Sequence, residues 1–179
     1  MYNNNKPSAN TFVRNIYSPG FSCLKLSYFK TNLTFSFNPY KSTDNNGRSQ
    51  YDTKTFLSTS INHGGAAYFY AVAMPIITGK DTETHIEATL TSSNNTTLTL
   101  EYKPDQNNQM CAYMVIRKHS EIIPFMFPSR TYKAIENGQV VTKLIQTDLI
   151  AFVKILDGYL SCTGAERHLS KLTDEELEN

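Results

Sequence analysis

The side chains best placed for chemistry in this chain are basic and aromatic, and they recur on segments where polar and apolar residues alternate. Lys25 with Phe29 and Lys30, Tyr40 with Lys41, and Lys103 all fall on or beside polar strand faces. The densest aromatic-basic stretches are Arg117-Lys118-His119 and the run from Phe125 to Lys133, which holds Arg130, Tyr132 and Lys133. A cation neutralises a phosphate and an aromatic ring stacks on a base, so a row of both holds a single nucleic-acid strand without reading its sequence. Each stacked base contributes roughly 1–3 kcal/mol, and the phosphate contacts make affinity fall as salt rises. The same residues have ordinary uses. Lysines and arginines on an outer strand face guard sheet edges, and Tyr28, Phe35, Phe37 and Tyr102 sit on apolar faces, which assigns them to the core.

Catalytic constellations are missing from the sequence. His63, His85, His119 and His168 show neither HExxH nor HxH spacing, and no GxSxG elbow is present. Gly64-Gly65 lacks the spacing of a phosphate loop, which leaves His63 beside it as one place to look for chemistry. Asp148 and Glu101 are isolated carboxylates, read as a first-turn helix charge and a strand-face residue. Cys23, Cys111 and Cys162 form no CxxC pair; the first two fall in apolar strand patterns, as buried free thiols do, and a reducing cytoplasm suits them. The reading is therefore non-enzymatic, without metal or cofactor. The polar N-terminus has no signal-peptide core, and the longest apolar run, Ala66 to Ile77, is too short to span a bilayer.

The elements that must position these residues follow from periodicity. The expected fold class is α+β, built on antiparallel sheets. Residues 1–17 are polar and aperiodic and read as a flexible arm. From Phe21 the period is two: strands are expected through Phe29, over Leu33 to Pro39, and over Thr55 to Ile61, with a polar loop at 41–54. Asn62 and the alanines that follow favour a helix over about 63–74, although a buried strand over 63–77 also fits. Further strands are expected at Ile86 to Thr91, Leu98 to Pro104, Cys111 to Lys118 and Glu121 to Phe127. A hairpin over Thr131 to Ile145 should turn at Glu136-Asn137-Gly138. Thr147 then caps an amphipathic helix to about Leu160. The formal net charge of +1 hides a split: residues 166–179 carry five carboxylates against two cations, leaving +4 on the remainder.

Leu33-Thr-Phe-Ser-Phe-Asn-Pro39 can be laid over Leu98-Thr-Leu-Glu-Tyr-Lys-Pro104, with Leu-Thr at the start and aromatic-x-Pro at the end. Pseudo-repeats of about 21–79 and 84–161, each a β-β-β-β-α unit, would make one domain over 18–165 followed by an acidic tail at 166–179. That organisation resembles the whirly family and the smaller transcriptional-coactivator domains, over roughly Phe21 to Leu160. The Asn- and Thr-rich composition with an acidic tail is also similar to bacteriophage single-strand-binding proteins. The resemblance implies non-catalytic binding of single-stranded DNA, or RNA, by basic and aromatic side chains on curved sheets, in a homo-oligomer. The tail would then occupy the groove or dock replication and repair proteins, in a host cytoplasm. The rival expectations are a virion component and an accessory factor that binds another protein.

Overall fold

The computed structural model describes residues 10–29, 32–78 and 85–176. The fold is α+β, with antiparallel sheets and two helices. The first sheet holds β1 (Asn10–Ser18), β2 (Ser22–Phe29), β3 (Asn32–Thr43), β4 (Ser49–Tyr51) and β5 (Leu57–Ile61), and α1 (His63–Ile77) follows it. The second sheet is β6 (Ile86–Thr91), β7 (Thr96–Pro104), β8 (Met110–Lys118) and β9 (Glu121–Met126) in sequential order. A separate hairpin, β10 (Arg130–Glu136) with β11 (Gln139–Ile145), leads into α2 (Thr147–Glu176).

Alternation fixes which face each strand buries. Leu24 and Leu26 on β2, Leu33, Phe35 and Phe37 on β3, and Leu57 and Ile61 on β5 point inward. Leu98, Leu100 and Tyr102 on β7 do the same against Met114 and Ile116 on β8. Both inner faces and both helices share one core. Phe152 of α2 lies with its ring centroid 6.0 Å from Phe35 and 5.5 Å from Phe127, which in turn meets Phe125 edge-on at 5.0 Å. Tyr28 stacks on Tyr159 at 5.8 Å.

The strand register matches the expected segments, and the helical reading of 63–77 prevails over the strand. Asn62 Oδ1 accepts from Gly65 N at 3.0 Å, capping α1, which buries Ala66, Phe69, Ala73 and Ile76. Pro75 lies inside the last turn, where its missing N–H costs the bond to the Ala71 carbonyl without ending the helix, which runs to Ile77 rather than stopping at 74. Asn137 and Gly138 both have positive φ (50° and 78°), the two-residue turn that suits a right-twisted hairpin.

Several expectations are corrected. The described part of the supposed arm is strand: Asn10–Ser18 pairs with β2, and Ile16 is buried, while residues 1–9 lie outside the described residues. A register shift between Phe12 and Arg14 breaks the alternation there, which hides the period in the sequence. The polar loop at 41–54 contains the end of β3 and all of β4. The second helix passes Leu160 and continues to Glu176, because a single Gly158 weakens a helix without ending it. Lastly, the Leu33–Pro39 and Leu98–Pro104 echo falls on β3 and β7. Counted from the start of each meander, those are a third and a second strand.

Candidate nucleic-acid interface

The outer face of the first sheet is a trough of about 770 Å³. Register builds it in rows across the strands. Asn15, Lys25, Ser36 and Ser58 form one row over β1, β2, β3 and β5, with Tyr17, Cys23 and Asn38 beside it on one side and Ser27, Thr34 and Ser60 on the other. At a strand spacing of about 4.8 Å, four strands give a floor about 14 Å wide. Hydroxyls and amides cover that floor; Thr34 Oγ1 and Ser60 Oγ share a 2.7 Å hydrogen bond, and Asn38 Nδ2 donates to the Asp52 carbonyl at 3.0 Å.

Aromatic rings crowd one end. The Tyr17 and Tyr51 centroids are 5.7 Å apart, Tyr40 meets Tyr51 edge-on at 6.3 Å, and Phe56, just before β5, also lines the trough. Tyr17 and Phe56 are 55% and 52% exposed, so their rings are available to a stacking partner. Burial pushes the Tyr51 phenol above its ordinary range. Cys23 lies buried in the floor, and burial drives its thiol up to about 11, partly offset by the nearby Lys25 ammonium. Among the described residues, no carboxylate side chain lines the trough. Asp52 stands near its rim, its carboxyl held low by bonds from the Thr55 hydroxyl and the Lys54 N–H.

The cations expected to act together are dispersed. Lys25 is in the trough, and Lys41 is exposed farther along β3. Tyr40 spends its hydroxyl on Thr43 at 2.7 Å and its ring on Tyr51. Lys30 and the Phe29 side chain lie outside the described residues. Lys103 is on the outer face of the second sheet, ion-paired with Glu101 and 5.3 Å over the Tyr113 ring. Arg117 shares that face, opposite Thr97, whereas Lys118 pairs with Thr96 and points to the other side. Arg130, Tyr132 and Lys133 belong to the separate hairpin, all exposed. A second trough of about 700 Å³ on the second sheet contains Lys103, Tyr113 and Met126, but Asp105 also lines it and its cation is already neutralised.

Sequence reasoning missed Tyr17, Tyr51 and Phe56. Phe56 was reachable by parity: if Leu57, Thr59 and Ile61 face inward, Phe56 faces out. Tyr17 needed β1 to be recognised, and Tyr51 sits in a three-residue strand too short to show a period. His63, the one place where chemistry was sought, packs its ring 6.4 Å from Tyr159 at the start of α1. No group of three or more metal-ligating side chains occurs among the described residues, and no helix there is long and apolar enough to cross a membrane. In comparisons with known proteins, no family model, curated sequence or solved structure matches the chain.

Proposed function

We propose that the protein binds single-stranded DNA, without catalysis, in the trough on the first sheet. One observation carries this reading: a carboxylate-free polar floor around Lys25 ends in a wall of exposed aromatic rings. Bases stack on Tyr17 and Phe56, the hydroxyls and amides exchange hydrogen bonds with base edges and sugars, and Lys25 meets a phosphate. Because one lysine rather than a basic band serves this surface, stacking supplies most of the affinity. A five-stranded antiparallel sheet followed by α1, and a four-strand meander followed by the hairpin and α2, support a whirly-like pair of sheet-then-helix pseudo-repeats. The acidic segment 166–179 acts as a competitor for Lys25 or as a docking strip for replication proteins.

The test is fluorescence anisotropy with labelled oligo-dT and with a duplex of equal length, across a salt series. Strand-selective binding with a shallow salt dependence is the expected result. Absence of binding to oligo-dT at low salt, with or without residues 166–179, would overturn the reading and leave the virion or protein-partner role.

A further inference from the structure

Asn-Gly occurs twice in the chain, at Asn46-Gly47 and at Asn137-Gly138, and both pairs sit in exposed hairpin turns. Glycine after asparagine leaves its main-chain nitrogen open to attack the asparagine amide, because it has no side chain to shield that nitrogen and turns freely about its backbone bonds. In sequence the two pairs are alike; in the fold they are not.

Asp44 clasps the first pair. Its Oδ1 accepts from Asn46 N at 2.9 Å and from Arg48 N at 2.8 Å, its carbonyl accepts from Gly47 N at 3.0 Å, and its own N donates to the Arg48 carbonyl at 2.9 Å. The nitrogen that would have to attack is therefore already a donor. Asn137 and Gly138 instead form the two-residue turn of β10–β11, where pairing passes from Glu136 to Gln139 and leaves the Gly138 N–H without a partner among the described residues. Residues 135–140 are all exposed, and the hairpin pairs with no other strand. An isolated two-stranded hairpin is at best marginally stable in water. Gln146 fastens only its root, accepting from Ala112 N and donating to the Phe127 carbonyl, so opening starts at the tip. Attack needs Asn137 to rotate out of the turn, which a fraying tip permits.

We infer that Asn137 is a site of spontaneous deamidation, and that the clasp around Asp44 protects Asn46 from the same reaction. Gly138 N, losing its proton, bonds to Asn137 Cγ, and the side-chain nitrogen leaves as ammonia with that proton, closing a cyclic imide. Water then adds to one imide carbonyl. Breaking the new N–Cγ bond gives aspartate; breaking the original peptide bond gives isoaspartate, with the chain rerouted through Cγ. Nothing is oxidised or reduced. Either product sets a new carboxylate beside Glu136, and isoaspartate adds a methylene to the backbone of a two-residue turn, which the Glu136–Gln139 register does not accommodate.

The experiment incubates the full chain in mildly alkaline buffer, native and in urea, and follows each Asn-Gly pair by peptide mapping with mass spectrometry, isoaspartate being assigned by electron-transfer fragmentation. In urea the two pairs convert at similar rates. One hydrogen bond is worth about two- to tenfold, and Asn46 must lose more than one to react, so in the folded chain Asn137 converts at least about tenfold faster. Asp44→Ala removes the clasp and brings Asn46 close to the Asn137 rate, with circular dichroism confirming that the variant is folded. Equal rates for the two pairs in the native chain overturn the inference. So does an Asn137 that the fold slows, relative to urea, as strongly as Asn46. Should Asp44→Ala fail to fold, the native rates decide alone.

Discussion

Replacing Phe56 by alanine removes one aromatic face from the trough and leaves its charge untouched. The side chain is 52% exposed and precedes β5, so its loss should change stability by no more than about 0.5 kcal/mol. A base that loses its stacking partner gives up about 1–3 kcal/mol, which weakens the dissociation constant for oligo-dT by about 5- to 150-fold. The slope of log affinity against log salt should stay where it is, because no counterion release is lost. Lys25→Ala makes the complementary case: it removes one phosphate contact from a single strand, so that slope becomes shallower by about 0.7. Both variants are measured by anisotropy titration at several salt concentrations, with thermal unfolding as a control. A Phe56→Ala protein that unfolds normally and binds oligo-dT as tightly as the native chain would refute the stacking argument. A changed salt slope in that variant would show that Phe56 acts by positioning a cation instead.

Further outcomes concern the scaffold and its thiols. An added Cβ at Gly65 would lie 3.0 Å from Leu90 Cδ1 and 3.2 Å from Ile61 Cβ, so Gly65→Ala should destabilise by about 1–3 kcal/mol in urea unfolding despite alanine's helix propensity. At Gly158 nothing lies within 4 Å, and Gly158→Ala should stabilise by about 0.5–1 kcal/mol in the same assay. Gln146→Ala strands the Ala112 N–H and the Phe127 carbonyl, a loss of about 1–3 kcal/mol for each group that stays unsatisfied, read as a lower urea midpoint. Cys162 is exposed and should react quickly with a thiol reagent near neutral pH, whereas Cys23 and Cys111 react only on unfolding. Since burial raises the Cys23 thiol to about 11, the folded chain keeps a proton that the unfolded chain releases. Stability from this group is complete below pH 9 and is lost as pH rises towards 11; Cys23→Ser should flatten that part of the profile.

Much of the fold was legible because an inner sheet face repeats every second residue. The segments Leu33 to Pro39, Leu98 to Pro104 and Cys111 to Lys118 all show that repeat, and all are strands in β3, β7 and β8. Where the repeat is interrupted the sequence is silent. The irregularity between Phe12 and Arg14 displaced Val13 from the pattern and disguised β1 as an arm. Its partner contacts give no local signal either: Arg14 reaches Asp148 of α2 at 3.6 Å, across most of the chain's length.

The candidate site was harder to read, for a reason built into strands. Neighbours in sequence take opposite faces, so the dense run Arg117-Lys118-His119 delivers one cation to each side and puts His119 in a turn at a φ of 53°. Residues two apart share a face, and Glu101 therefore takes up Lys103, a pairing the sequence already contained. Grouping by sequence density gathered cations that the sheets separate. Grouping by parity and register instead gathers Asn15, Lys25, Ser36 and Ser58 into one row and leaves them a single positive charge. The consequence for binding is quantitative. Contact with one or two phosphates gives a salt slope of only about −0.7 to −1.4 on a single strand, far from the steep dependence of a basic groove. Affinity that survives moderate salt and collapses when Tyr17 and Phe56 are both truncated follows from this geometry, and a steep slope would mean that the strand runs over the hairpin rather than the trough.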